Sequence, residues 1–130
     1  MKLSQTITDM VMHADAKALA TYHENNLNVV PVSTMKVVDD QIILVNYFMG
    51  KTLENIKQNS RVALACWKGI QGLQIKGTIE YLQVGELYEE ITSWVAEILP
   101  DRMVKGILVL TPKEIFDISA DQKRAGIKIS

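Results

Sequence analysis

Residues 46–60 read NYFMGKTLENIKQNS, and a change of periodicity inside this stretch decides how the chain is built. Just before it, Ile42 to Val45 is an apolar, largely β-branched run suited to a buried strand. Beyond it, Leu53 and Ile56 recur at helical spacing, so a strand gives way to a helix near Gly50. A strand feeding a helix makes an anion site. The first N–H groups of a helix lack partners within it, and the aligned peptide dipoles place partial positive charge there. Gly50 permits close backbone approach, Lys51 adds a full charge, and the Thr52 hydroxyl can donate another hydrogen bond. This corner is expected to hold a phosphate. The plain alternative is that Lys51 and Thr52 only begin a solvated amphipathic helix.

Gly50-Lys51-Thr52 also copies the end of a nucleoside-triphosphate P-loop. That loop needs an earlier glycine five positions back so that its backbone can wrap the phosphates, and the position is Val45. Tyr47, Phe48 and Met49 between them are bulky, which sets ATP and GTP aside. A G-x-G-x-x-G dinucleotide motif is absent as well.

The chain of 130 residues is long enough for one domain with a single core, and residues 1–130 are read as one domain. A net charge of −1 with scattered Lys and Arg offers no basic field, arguing against nucleic acid as a partner. No run approaches the roughly 18 apolar residues of a membrane span, and Met1 to Met12 lacks the pattern of a secretory signal. A cytoplasmic protein without a membrane partner is expected. Cys66 is the only cysteine and lies in an apolar run, where a buried structural thiol is expected. His13 and His23 are too few and too isolated to suggest a metal site.

Along the chain, Ile7, Met10, Val11 and Ala14 suggest a first helix over Thr6 to Ala14, with Ser4 or Thr6 near its start. Ala16 to His23 reads as a strand closed by Glu24-Asn25-Asn26, whose asparagines tolerate left-handed backbone angles. Leu27 to Val38 is an extended stretch interrupted by Pro31, Asp39-Asp40 is a turn, and Gln41 to Tyr47 is the next strand. Arg61 to Trp67 and Leu73 to Leu82 form a hairpin around Gly69 and Gly72. In the second of these strands Leu73, Ile75, Gly77, Ile79 and Tyr81 share one face. Glu86 to Leu99 is the longest helix, with Leu87, Ile91, Trp94, Val95, Ile98 and Leu99 as its stripe, and Pro100 stops it. Val104 to Thr111 and Glu114 to Ser119 read as two strands around a Thr111-Pro112-Lys113 turn. The polar tail from Ala120 is expected to be loose or to reach a partner subunit. The pattern predicts a mainly β fold, an antiparallel barrel of six to seven strands with peripheral helices.

In that order the motifs resemble the FMN-binding split-barrel family, the pyridoxamine 5'-phosphate oxidase-like proteins. The similarity runs from about Ala16 to Ser119. It is carried by the proline-containing strand Val30-Pro31-Val32-Ser33, the helix start Lys51-Thr52-Leu53-Glu54-Asn55, and the following Ser60-Arg61-Val62-Ala63-Leu64. The resemblance implies a homodimer with FMN at the subunit interface and a small-molecule redox partner. It matches Lys51 and Thr52, after Gly50, to the FMN phosphate, with Val32, Ser33 and Thr34 beside them. Asn46, Tyr47 and Met49 match the segment along the ribityl chain and flavin, and Gln74 a residue offered to the isoalloxazine ring. Trp94 is placed either near the partner's flavin or, with more support, in the packing of its own helix.

Two departures limit what is carried over. Oxidases of the vitamin pathway usually place an arginine on the strand matching Leu27 to Val32, and none occurs here. They also have a longer C-terminal segment that grips the pyridoxal substrate, whereas this sequence stops at Ser130. The expectation is therefore a small flavoprotein, an oxidoreductase or electron carrier, rather than that oxidase. No residue stands out as its catalytic acid or base. The alternative is a binding module of the same fold that takes haem, a deazaflavin or another ligand.

Overall fold

The computed structural model describes residues 1–130. Helix α1 is Gln5–Met12, followed by strands β1 (Ala16–His23), β2 (Asn26–Pro31), β3 (Met35–Val38) and β4 (Gln41–Asn46). Helix α2 (Lys51–Gln58) leads to β5 (Arg61–Lys68) and β6 (Gln71–Leu82), and helix α3 (Glu86–Ile98) to the last strand, β7 (Gly106–Asp117). The seven strands form one antiparallel sheet in the order β2-β1-β5-β6-β7-β4-β3. Alternation explains how that sheet curls into a split barrel. Leu19, Leu44, Leu64, Ile75 and Leu110, each fully buried, come from five different strands and meet in one cluster. Burying each is worth about 1.5–3 kcal/mol, enough to fix which face of every strand turns inward.

The helices close what the sheet leaves open. In α1, Ile7 and Val11 face the core, and Ser4 caps its start by accepting the Ile7 N–H at 3.2 Å. Helix α3 covers the outer face of β4 and β7, where Ile91 and Val95 pack on Ile43, Val45, Tyr47, Ile107 and Val109. Ile98, assigned to its stripe from the sequence, is exposed instead, because the helix ends there and Leu99 already has non-helical angles.

Leu27 to Val38 is two strands rather than one interrupted strand. The Val32 N–H donates to the Lys17 carbonyl, extending β2 along β1, whereas the Thr34 carbonyl accepts the Val45 N–H, extending β3 along β4. The chain thus changes partner across residues 32–34, and this crossing is the seam of the barrel.

The opposite correction applies to β7, which runs unbroken through Pro112. Its register against β6 shifts between Lys76 and Gly77, where Lys76 pairs Glu114 and Gly77 pairs Pro112. The missing proline donor therefore falls at a bulge, where a ladder bond is already absent. The turns behave mostly as read. Asp39 and Asp40 both have positive φ, 48° and 63°, as a two-residue hairpin turn of the primed type demands. In the β1–β2 turn the left-handed residue is Glu24 rather than an asparagine, because Asn26 already pairs with His23.

The tail is also more ordered than anticipated. It folds back along the part of β7 that β4 leaves unpaired. The Asp117 N–H donates to the Ile127 carbonyl at 2.8 Å, and the Ile129 N–H to that of Ile115 at 2.7 Å. An otherwise open strand edge is covered in this way. Asp117 anchors the turn, accepting the Ser119 N–H at 2.8 Å and the Arg124 Nε at 3.2 Å.

Hydrogen bonds from Ser119, and secondarily the Arg124 guanidinium, hold the Asp117 carboxyl below its usual range. A carboxylate with a lowered folded pKa stabilises the fold above its unfolded pKa of about 3.9, and that contribution disappears as pH falls through the folded value. Asp117→Asn should therefore lower the urea midpoint at neutral pH. The gap from the wild-type midpoint should close as both proteins are titrated below about pH 4. A gap that stays constant with pH would remove the carboxylate from this role.

Candidate functional site

The strand-to-helix corner forms at the barrel seam. Asn46, at the end of β4, is buried and holds the corner in shape: its Oδ1 accepts the Met49 N–H at 2.7 Å and its Nδ2 donates to the Tyr81 hydroxyl at 2.9 Å. These bonds tighten the 46–49 segment so that Gly50 precedes α2 as its N-cap. Gly50 offers no side-chain cap, and the first backbone donation inside the helix is from Glu54 to Gly50. The earlier N–H groups of α2 are thus left for solvent or a ligand.

Helix α2 is pinned from its other side by buried polar groups. Asn55 donates to the Thr21 hydroxyl at 3.0 Å and to the Asn26 carbonyl at 3.1 Å. Thr52 is fully buried, and its hydroxyl accepts the Asn28 amide at 3.0 Å. Buried polar groups cost stability unless paired, so these bonds select one docking of the helix against the β1–β2 hairpin.

Between the end of β2 and this corner lies a cavity of about 400 Å³, within the usual size of small-molecule sites. Val30, Val32, Tyr47 and Met49 give it apolar walls, while Ser33, Gly50 and Arg102 supply polar groups. Five residues singled out from the sequence meet here: Val32, Ser33, Tyr47, Met49 and Gly50. Thr34 stands one layer behind them and accepts the Tyr47 hydroxyl at 2.9 Å, which fixes the phenol. Asn46 and Thr52 shape the corner without lining the cavity. Lys51 points to solvent and pairs with Glu54 at 3.2 Å.

Gln74 and Trp94 lie elsewhere. Gln74 is on the outward face of β6, at the end opposite Leu82. Leu82 pairs Ile107, which in turn pairs Val45 beside the cavity. At about 3.3 Å per residue, Gln74 is roughly 25 Å along its strand from that end, but across the sheet it shares a row with Ala65, Ala18 and Pro31, about 14 Å from the β2 wall of the cavity. Trp94 is half-buried on α3, with the Lys36 ammonium 4.8 Å from its ring centroid.

Two contributors were not found in the sequence. Phe48 is 87% exposed at the cavity rim, an unusual position for an aromatic side chain. Arg102 arrives from the segment after α3, its guanidinium 4.9 Å from the Tyr47 ring centroid and its Nη1 donating to the Ser33 hydroxyl at 3.3 Å. The bulk of Phe48 beside Tyr47 was visible in the sequence as a signal. Nothing in the polar stretch around Arg102 distinguished it.

A larger cavity, about 610 Å³, opens on the outward face around Tyr22, Leu27, Arg61, Lys76 and Lys113. None of the residues matched to the cofactor lines it. The β2–β1–β5 part of that face is apolar: Leu27 and Val29 on β2 are 80% and 66% exposed, and beside them run Ala18 and Ala20 of β1, then Ala63 and Ala65 of β5. Neither histidine lines the seam cavity. His13 caps α1, with its ring 3.0 Å from the Asp9 carbonyl, and His23 ends β1 with Glu24 at 3.7 Å. Burial pushes the Cys66 thiol up to about 11, as suits an inert core residue rather than a nucleophile. No helix is long and apolar enough to cross a membrane.

A family model described as pyridoxamine 5'-phosphate oxidase matches residues 3–124. An uncharacterized protein of Methanocaldococcus jannaschii is 37% identical over 99 residues, which cover 72% of this chain and 65%, just under two thirds, of that protein. Among solved structures, HupZ of Group A Streptococcus superposes with a TM-score of 0.81 at 22% identity, covering 96% of this chain and 98% of its own. An FMN-binding protein from Syntrophomonas wolfei gives a TM-score of 0.76 at 19% identity, covering 88% and 85%. A protein of the pyridoxinephosphate oxidase family from Clostridium acetobutylicum, related to general stress protein 26, gives 0.72 at 21% identity, covering 93% and 90%. At these identities the solved structures speak for the fold alone.

Proposed function

Because this chain belongs to the pyridoxamine 5'-phosphate oxidase family, we propose that it binds FMN in the seam cavity and acts as a homodimeric oxidoreductase or electron carrier with a small-molecule redox partner. The observation that carries this reading is the cavity itself. Apolar walls from Val30, Val32, Tyr47 and Met49 suit a flat aromatic ring system, and the uncapped start of α2 at Gly50 suits a phosphate. When bound, the flavin would supply the electron-transfer chemistry, and the chain would supply binding and orientation.

The residues divide by task. Val32, Ser33, Tyr47, Met49 and Gly50 would touch the cofactor directly. Thr34, Asn46 and Thr52 would act from behind, holding Tyr47, the corner and the helix start in place. Lys51 would contribute charge at the rim. Trp94 is read as packing α3, with the Lys36 ammonium over its ring.

The dimer is part of the same proposal, and the position of Gln74 supports it. Gln74, half-buried on the outward face of β6, is open to a ring held across a subunit boundary. The apolar outward face of β2, β1 and β5 adjoins it, since Gln74 pairs Ala65, and such a face is suited to a second copy of this chain.

The deciding measurement is the absorption spectrum of the purified protein, followed by mass determination of any released ligand. Flavin bands and the mass of FMN are expected. A colourless protein whose addition leaves the spectrum of free FMN unshifted would overturn the reading.

A further inference from the structure

We infer that Arg102, rather than Lys51, is the cation that holds the anionic group of the ligand in the seam cavity. The inference rests on the reading of that cavity as a flavin nucleotide site, and it assigns a residue from outside the strand–helix corner. Arg102 lines the cavity and Lys51 does not. The Lys51 ammonium is about two-thirds exposed and stands 3.2 Å from the Glu54 carboxylate, which would repel a phosphate brought to it. Such a pair contributes little and is screened by salt.

Arg102 is differently placed. None of the four ion pairs of the structure includes it, whereas Arg124 is paired with Asp117. Its guanidinium lies over the Tyr47 ring, which orients the plane, and one nitrogen donates to Ser33. A guanidinium has five N–H donors in a fixed fork, so most remain for a ligand. Tyr47 is in turn held by Thr34, so the platform beneath the cation is itself rigid. The Arg102 fork, the Ser33 hydroxyl and the uncapped α2 start at Gly50 all border one cavity. That combination fits a phosphate, whose oxygens accept charge-assisted bonds from several sides.

The location also answers the missing strand arginine. A positive group absent from Leu27 to Val32 reaches the same end of β2 from the segment following α3.

The test compares FMN with riboflavin, which lacks the phosphate, by fluorescence titration of the wild-type protein, Arg102→Met and Lys51→Met. Methionine keeps an unbranched apolar stem over Tyr47 and removes the charge. Arg102 is exposed, so an unchanged thermal midpoint is expected to accompany the substitution. Arg102→Met should weaken FMN binding by roughly 10- to 100-fold, with riboflavin changed less than about 3-fold, as loss of a charge-assisted contact requires. Lys51→Met should have the smaller effect on FMN. Equal FMN affinity in the wild type and Arg102→Met, or a larger loss from Lys51→Met, would overturn the inference. A second readout does not depend on the flavin: inorganic phosphate titrated into the wild type should shift the NMR resonances of the Arg102 Nε–H and the Gly50 and Lys51 amides. If FMN fails to bind but phosphate produces these shifts, the flavin reading falls and the Arg102 assignment stands. If phosphate moves none of them, the assignment falls.

Discussion

On the proposed dimer, Ala65→Arg should yield a monomer and weaken FMN binding without unfolding the barrel. In β5, Leu64 and Cys66 turn into the core while Ala63 and Ala65 turn outward, so an arginine at position 65 extends into water in a single subunit. Across β5 its partners are Ala18 and Gln74. A second copy docked on this face would have to bury the guanidinium against the apolar surface of β1 and β2. Burying an unpaired charge costs several kcal/mol, and each 1.4 kcal/mol is tenfold in a dissociation constant, so dimer affinity should fall by about 100-fold or more. FMN affinity should fall with it if, as proposed, the partner completes the site. Sedimentation velocity and FMN titration on one sample check both halves. A variant that remains dimeric would put the subunit boundary on another face. A monomeric variant that binds FMN as tightly as the wild type would confine the site to one subunit.

Gly77→Ala should destabilise the fold severely, by about 3 kcal/mol or more, at the upper end of what overpacking a core costs. A Cβ at Gly77 would overlap the backbone carbonyl oxygen of Thr111 and crowd Leu110. Backbone cannot swing aside as a flexible side chain can. Here it is tied into the bulge that lets Pro112 sit inside β7. The contrast is Gly50→Ala, where no heavy atom lies within 4 Å of the added carbon and φ is −118°, so the substitution should leave the urea midpoint nearly unchanged. Urea titrations of the two variants side by side test whether close approach, rather than glycine content, decides the outcome. A stable Gly77→Ala protein would mean the bulge can relax.

The alternation of Leu73, Ile75, Gly77, Ile79 and Tyr81, the stripe of α3 and the switch of period at Gly50 are local patterns, and sequence alone determined the mainly β architecture, the positions of the helices and the corner at residues 46–52. The split-barrel family was legible in the same motifs, and the match over residues 3–124 bears it out. Side-chain period and helix spacing are properties of consecutive residues, which is why they could be read without coordinates. Tertiary structure alone decided which polar groups are free. Thr52 and Lys51 are neighbours in the chain, yet the first is fully buried against Asn28 while the second stands in solvent outside the cavity. Arg102, distant in sequence, is brought to Ser33 and Tyr47 because α3 packs on the outside of β4 and β7 and delivers the following segment to the seam. Contacts between residues far apart in the chain depend on register and on how the sheet closes, and no local pattern encodes them.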